Sequence, residues 1–356
     1  LASCIIGAGR KIDGIATGHA PLAMTYHFNI LITEELPMRY GFGIDVGGTS
    51  VKLALFDLEG NIVEKWSIPT RTEDGGKHVL PDIAASVLEC LEKKEISRQD
   101  VIGIGVGIPG PVSEDGIVNR CVNLGWGVVD LHGELGRLTG FPICSGNDAN
   151  VATLGECWKG SGDGSRFMVM VTLGTGIGGG IILNGKIIGG FHGAGGEIGH
   201  MVMTEDETEP CGCGNYGCAE QYCSANGTVR LAKRWLARHD EPSVLRQMPT
   251  FSCKELFDTA YEGDHAAQCI VEEFNNLMGK FLANICCTID PEVIVIGGGV
   301  SRTGQPLLDG IRPYFDKYAF HACRSTKIVL AALGNDAGIY GAFKLALEAY
   351  ENNLGR

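Results

Sequence analysis

One histidine and three cysteines, His200, Cys211, Cys213 and Cys218, fall within nineteen residues of this chain. Imidazole and thiolate are the donors that a structural Zn²⁺ prefers, and four of them close a tetrahedron. Gly212, Gly214 and Gly217 let a short loop turn tightly enough to point the sulfurs inward. Cys-x-Cys-x4-Cys with an upstream histidine therefore reads as a zinc knot. Two carboxylates flank it, Glu197 three residues before His200 and Glu220 two residues after Cys218. A lone glutamate in a glycine-rich loop is most simply solvated, and the run Glu205-Asp206-Glu207 reads the same way.

Two glycine turns carry a second kind of chemistry. Asp45-Val46-Gly47-Gly48-Thr49 and Gly174-Thr175-Gly176 each offer successive backbone N–H groups that can face one concavity and hold an anion. With Gly297, Gly298 and Gly299 as a third place of close approach, the pair points to a nucleotide clamped between two halves. The second turn continues to Gly179 and so contains a formal G-x-G-x-x-G. It leads into Ile181-Ile182-Leu183 and an Asn184-Gly185 turn, a strand and hairpin rather than the helix that a dinucleotide fingerprint needs. No Gly-x4-Gly-Lys-Ser/Thr occurs, so a Walker A loop is excluded. Asn147-Asp148 follows a short strand and precedes a helix. It reads equally well as a helix N-cap or as a general base exposed at a strand end.

The elements that must position these residues alternate. Strands are expected at 40–45, 51–56, 62–68, 101–108, 143–145, 167–173, 179–183, 293–296 and 328–331, from apolar alternation and flanking turns. Helical spacing occupies 79–92, 151–159, 228–239, 253–261, 266–289 and 337–350. The strand, glycine turn, strand opening at residue 40 returns at residue 167, which reads as an internal duplication. The outcome is a mixed α/β chain with ligands at strand ends. A length of 356 residues fits two domains, here 39–150 with a returning C-terminal helix at 337–356, and 151–336. Residues 1–38 are expected to lie outside the fold, since Met38 stands directly before the first strand; they are too short and too weakly basic for a helix-turn-helix.

Composition narrows the partners. A formal charge of −13 argues against nucleic acid, because phosphate binding wants a basic surface. No stretch is long enough to span a membrane. Fourteen cysteines, only three with metal-like spacing, read as free thiols in a reducing cytoplasm. Cys90, Cys121, Cys144, Cys157, Cys269, Cys286 and Cys287 read as lying in apolar surroundings.

Together, Asp45-Val-Gly-Gly-Thr-Ser-Val-Lys52, Gly146-Asn-Asp-Ala-Asn150, Leu173-Gly-Thr-Gly-Ile-Gly-Gly179, Gly196-Glu-Ile-Gly-His200 and Cys211-Gly-Cys-Gly-Asn-Tyr-Gly-Cys218-Ala-Glu220 resemble the ROK family of bacterial sugar kinases, most closely its glucokinases. The resemblance runs from about residue 39 to the C-terminus. It implies an actin-like, ribonuclease H-like ATPase fold whose two domains close over a sugar and Mg-ATP, with a structural zinc. By the resemblance Asp148 is the catalytic base that takes the proton of the sugar 6-hydroxyl. Asn123, Asn147, Glu197, His200 and Glu220 match sugar contacts, and 107–110 matches a loop lying against the sugar. Asp45 would sit near Mg²⁺, with Gly47, Gly48, Thr49, Lys52, Gly174, Thr175, Gly176 and Gly297–Gly299 around the phosphates of ATP. His200, Cys211, Cys213 and Cys218 match the zinc ligands. A homodimer or homotetramer is implied as well. The alternatives are another sugar kinase of the family, acting on N-acetylmannosamine, N-acetylglucosamine, fructose or a glucoside, or a sugar-sensing repressor.

Overall fold

The computed structural model describes residues 38–355, so the expectations placed on residues 1–37 lie outside the described residues. The chain builds the same sheet twice. Strands β1 (Tyr40–Val46), β2 (Ser50–Asp57) and β3 (Ile62–Pro69) form an antiparallel meander. A helical turn α1 (Glu73–Gly76) and helix α2 (Val79–Lys93) lead to β4 (Val101–Ile108), parallel to β1. A small hairpin, β5 (Ile117–Val118) with β6 (Val129–Asp130), and helix α3 (Leu131–Thr139) precede β7 (Ile143–Asn147), parallel to β4. The order is β3-β2-β1-β4-β7.

Helix α4 (Asp148–Lys159) carries the chain to the second sheet. There β8 (Phe167–Leu173), β9 (Ile177–Leu183) and β10 (Lys186–Ile187) repeat the meander. The loop bearing His200, Cys211, Cys213 and Cys218 follows, then α5 (Glu220–Cys223), α6 (Ala225–Arg238), α7 (Cys253–Tyr261) and α8 (His265–Ile289). Strand β11 (Val293–Gly297), helix α9 (Gln305–Tyr318) and strand β12 (Lys327–Leu330) complete the order β10-β9-β8-β11-β12. Position for position this repeats the first sheet, so the duplication read from the glycine turns is real. Helix α10 (Ala337–Asn353) then returns to lie on β1 and β4.

Each sheet keeps its own core. Phe42, Ile44, Leu53, Ile83 and Ile104 are buried in the first; Val169, Ile270, Phe274, Phe281 and Ile294 in the second. Helices α4 and α10 join the halves by packing backbone to backbone. A Cβ on Gly341 would stand 1.7 Å from the Val151 carbonyl oxygen, and one on Gly105 1.6 Å from that of Ala342. Only glycine permits such approach. Near α10, Phe56 stacks on Phe343 with centroids 4.6 Å apart.

Some elements differ from the sequence reading. Helix α4 begins at Asp148, three residues before the expected start, so the domain boundary placed at 150 falls inside it. Strand β9 begins at Ile177, not Gly179. Helices α3 and α9 are additions. Gly133 and Gly136 mask the first, while Pro306, Gly310 and an internal Pro313 mask the second. Among the described residues no helix is long and apolar enough to cross a membrane.

Candidate active site

A cleft of about 710 Å³ opens at the carboxyl ends of strands from both sheets, the place where α/β sheets collect ligands. Asp45 lines it from β1, Thr172 from β8 and Gly297–Gly299 from the end of β11, while Asp148 stands at the start of α4. Lys52, opposite Asp45 in the β1–β2 register, places its ammonium 3.1 Å from Asp45 Oδ2 and donates to the Asn335 carbonyl at 3.1 Å. The first turn of α10 presses on the same carboxylate: a Cβ on Gly338 would lie 2.6 Å from Asp45 Cγ.

Of the two residues Asn147-Asp148, the structure makes the first the helix N-cap and leaves the second uncapped. Asn147 is the cap: its Oδ1 accepts the N–H groups of Ala149 (3.0 Å) and Asn150 (3.3 Å), and its Nδ2 donates to the Gly110 carbonyl (3.3 Å). Asp148 is thereby released from capping and faces the cleft, its Oδ1 accepting only the Ala149 N–H at 2.8 Å. Burial pushes its carboxyl above the ordinary range. The Ala149 N–H works against that shift, and the nearby carboxylates of Asp45 and Glu197 add to it. A carboxylate held basic by burial, beside a second acid, has the character of a general base.

The four expected metal donors converge. Their ligand atoms all lie within 4.8 Å of one another. His200 Nδ1 is 3.7 Å from Cys211 Sγ, and Cys213 Sγ is 3.7 Å from Cys218 Sγ. A tetrahedral zinc with Zn–S of about 2.3 Å has edges of about 3.8 Å between sulfurs, so the set fits that ion. Burial and the two neighbouring thiols push Cys218 up to about 12, a thiol that a cation would convert to thiolate. The imidazole bridges two roles, because its Nε2 faces Glu197 Oε2 at 3.8 Å. Glu220 leans on the opposite side of the knot, with Oε1 3.8 Å from Cys211 Sγ and Oε2 accepting the Ile177 N–H at 2.8 Å.

The last contact decides where the second glycine turn looks. Gly176 abuts Glu220, since a Cβ there would stand 2.1 Å from Oε2. Thr175, Gly176 and Glu220 line a cavity of about 440 Å³ separate from the cleft of Asp45 and Asp148. The two turns expected to face one concavity are therefore not brought to the same cavity, and the N–H just after the second, that of Ile177, is already taken by Glu220. The first turn is exposed at Gly48 and Thr49, with Gly48 against the backbone of Asn123, itself exposed.

Several residues escaped the sequence reading. Glu156 is fully buried in α4 and accepts from Ser161 N (3.0 Å), Ala332 N (3.1 Å) and Leu333 N (2.7 Å). It thereby holds the segment from which Asn335 meets Lys52. Ser301 and Arg302 line the cleft after the glycine run. Glu207, expected in a solvated loop, is buried instead. It pairs with Arg230 and Arg234 at 2.7 Å each and accepts the Tyr222 hydroxyl at 2.5 Å. Burial alone would raise its carboxyl, but these partners hold it far below the usual range. The correction has a physical cause: arginines from α6, absent from the local sequence, neutralise the acid. Cys287 is exposed, and Cys269 is half-buried beside charged groups, so neither lies in the apolar surroundings expected.

This arrangement has relatives. The profile of the ROK family matches residues 41–349. The glucokinase of Halalkalibacterium halodurans is 40% identical over 89% of this chain and 97% of its own length. That of Thermotoga maritima is 34% identical over 88% and 99%. Among solved structures, a ROK family glucokinase of Streptomyces griseus in complex with glucose and AMPPNP superposes with a TM-score of 0.67 at 32% identity, covering 87% of this chain and 99% of that one. With its duplicated sheets, the cleft between them and a loop that gathers one histidine and three cysteines, the chain belongs to the ROK family.

Proposed function

We propose that this protein phosphorylates a hexose at its 6-hydroxyl with ATP, and that the hexose is glucose. The observation that carries the reading is Asp148: a carboxyl freed from capping by Asn147, made basic by burial and set at the mouth of the interdomain cleft. The Asp148 carboxylate takes the proton of the 6-hydroxyl as that oxygen bonds to the γ-phosphorus. The bond from phosphorus to the β,γ-bridging oxygen breaks, and ADP leaves with the electron pair. Such transfer needs chiefly positioning and charge neutralisation. Mg²⁺ near Asp45 would supply part of that neutralisation. Lys52, Gly47, Gly48, Thr49 and Gly297–Gly299 are assigned to the phosphates, as are Gly174, Thr175 and Gly176 after closure. Asn123, Asn147, Glu197, His200 and Glu220 are assigned to sugar hydroxyls, where a missing partner would leave a polar group unpaired and so reject epimers.

The closing bodies are taken as residues 39–150 with 337–356, and 151–336. Zn²⁺ is assigned to His200, Cys211, Cys213 and Cys218 as the brace behind Glu197 and Glu220, on the strength of their convergence. A cytoplasmic homodimer or homotetramer completes the reading; light scattering on the purified chain reports the assembly. The function is tested by coupled ADP release over glucose, N-acetylglucosamine, N-acetylmannosamine, fructose and a glucoside, with polyphosphate as a second donor. Glucose with ATP is expected to give the highest kcat/KM. A glucose rate far below that of another sugar would overturn the choice of substrate, and no turnover of any sugar would overturn the kinase.

A further inference from the structure

A second group of metal-type donors lies where neither the cleft nor the knot reaches. Glu241 follows α6, while His265 is the first residue of α8 and Cys269 stands one turn later on the same helix. An i, i+4 spacing puts the imidazole and the thiol on one helical face. His265 Nδ1 is 2.5 Å from Glu241 Oε1 and 4.0 Å from Cys269 Sγ, and the three donor atoms lie within 4.8 Å of one another.

The loop bearing Glu241 is held without help from any ion. Arg246 donates to the carbonyls of Glu241 (2.8 Å), Leu236 (2.9 Å) and His239. Asp264, the N-cap of α8, accepts from Ser243 Oγ (3.0 Å) and Val244 N (2.8 Å) while capping Ala267 N at 2.9 Å. The same acid that starts the helix thus pins the loop across it. The three donors converge from a prearranged backbone, which lowers the ordering cost of binding.

We infer that Glu241, His265 and Cys269 form a second, solvent-accessible Zn²⁺ site that clips the loop after α6 to the first turns of α8. Carboxylate, imidazole and thiolate together favour zinc among common biological divalent ions, since Ca²⁺ and Mg²⁺ take oxygen donors. Three protein ligands leave one position for water, as in open zinc sites. Tetrahedral bonding needs nitrogen and oxygen about 3.3 Å apart and nitrogen and sulfur about 3.5 Å apart. The Glu241 side chain, 37% exposed, can swing back to admit the ion, and the His265 ring, 71% exposed, can turn toward the thiol.

The test uses the full chain, with its zinc content measured first and then titrated with Zn²⁺ by calorimetry. The wild type is expected to take up one equivalent per chain more than His265→Ala and Cys269→Ser, or to bind it at least tenfold more tightly. Alkylation of Cys269, followed peptide by peptide by mass spectrometry, is expected to slow at least tenfold in zinc, and not to slow in His265→Ala. Equal uptake and affinity in wild type and both variants would overturn the site, as would a Cys269 alkylation rate indifferent to zinc. Neither readout depends on sugar turnover or on the occupancy of the knot.

Discussion

Asp148, half-buried, and Glu207, buried, are two carboxylates that the surrounding protein has driven in opposite directions. Asp148 meets one backbone N–H and two other acids, and its carboxyl rises. Glu207 meets two guanidinium groups, a tyrosine hydroxyl and the N–H groups of Thr208 and Glu209, and its carboxyl falls. Desolvation raises both carboxyls, so desolvation does not assign a role; the partners do. An acid left without a counter-charge keeps an appetite for a proton, which is useful at a reacting centre. A fully paired acid has none to spare and serves to fasten the loop that leads into the knot.

The widest separation between the two comes from deleting each carboxylate. Asp148→Ala is expected to lower kcat by about 10²–10⁴-fold, with nucleotide binding retained; steady-state kinetics checks the first and equilibrium nucleotide titration the second. An ordinary kcat would remove Asp148 from its role. Glu207→Ala should instead cost about 3–5 kcal/mol of stability, because it strands two partly buried arginines. Denaturant unfolding measures that loss, and a change below about 1 kcal/mol would mean that the cluster is worth no more than a surface pair.

The comparison sharpens with pH. A raised carboxyl contributes stability only below the ordinary aspartate range and loses it as pH rises through the folded value. Asp148 in its charged form therefore opposes folding at neutral pH, and Asp148→Asn is expected to melt no lower than the wild type there. Glu207 is the reverse. Its contribution is present above the ordinary glutamate range and disappears only as pH falls through its far lower folded value, so the cluster should survive mild acid. In catalysis the base must be ionised, and the acid limb of kcat should lie above the usual carboxylate range. Glu197→Gln removes one repelling charge, so that limb should shift to lower pH; a limb that stays in place would separate Glu197 from Asp148.

The smallest expected effect falls on the knot itself. Cys213→Ser removes the exposed thiol among the four proposed donors and should lower zinc content. It should raise the KM for sugar more than it lowers kcat, since His200 and Glu220 both rest against Cys211 of the same loop. Sugar kinetics beside metal analysis checks it. An unchanged KM in zinc-free protein would make the knot a stabiliser only.

Much of this is legible in the order of residues. The glycine turns, the spacing of His200 from its three cysteines and Asn147-Asp148 carry local chemistry, and local chemistry survives in the order of residues. The duplicated sheet was also readable, because strand, turn, strand repeats at Tyr40 and Phe167 in the same grammar. Helices α3 and α9 were hidden because glycine and proline oppose helix locally, while packing against neighbouring elements favours it.

What the sequence determined by itself is the set of donors and turns, together with the order in which they are strung. Side-chain type and near-neighbour spacing are enough to gather four donors in one loop, to cap a helix or to turn the chain at glycine. The tertiary structure alone decided which acids are paired and which are free. It brought Arg230 and Arg234 to Glu207, carried Ala332 and Leu333 to Glu156, and turned the second glycine turn onto Glu220. Electrostatic character depends on charges and burial within a few ångströms, and those distances are set by segments far apart in the chain.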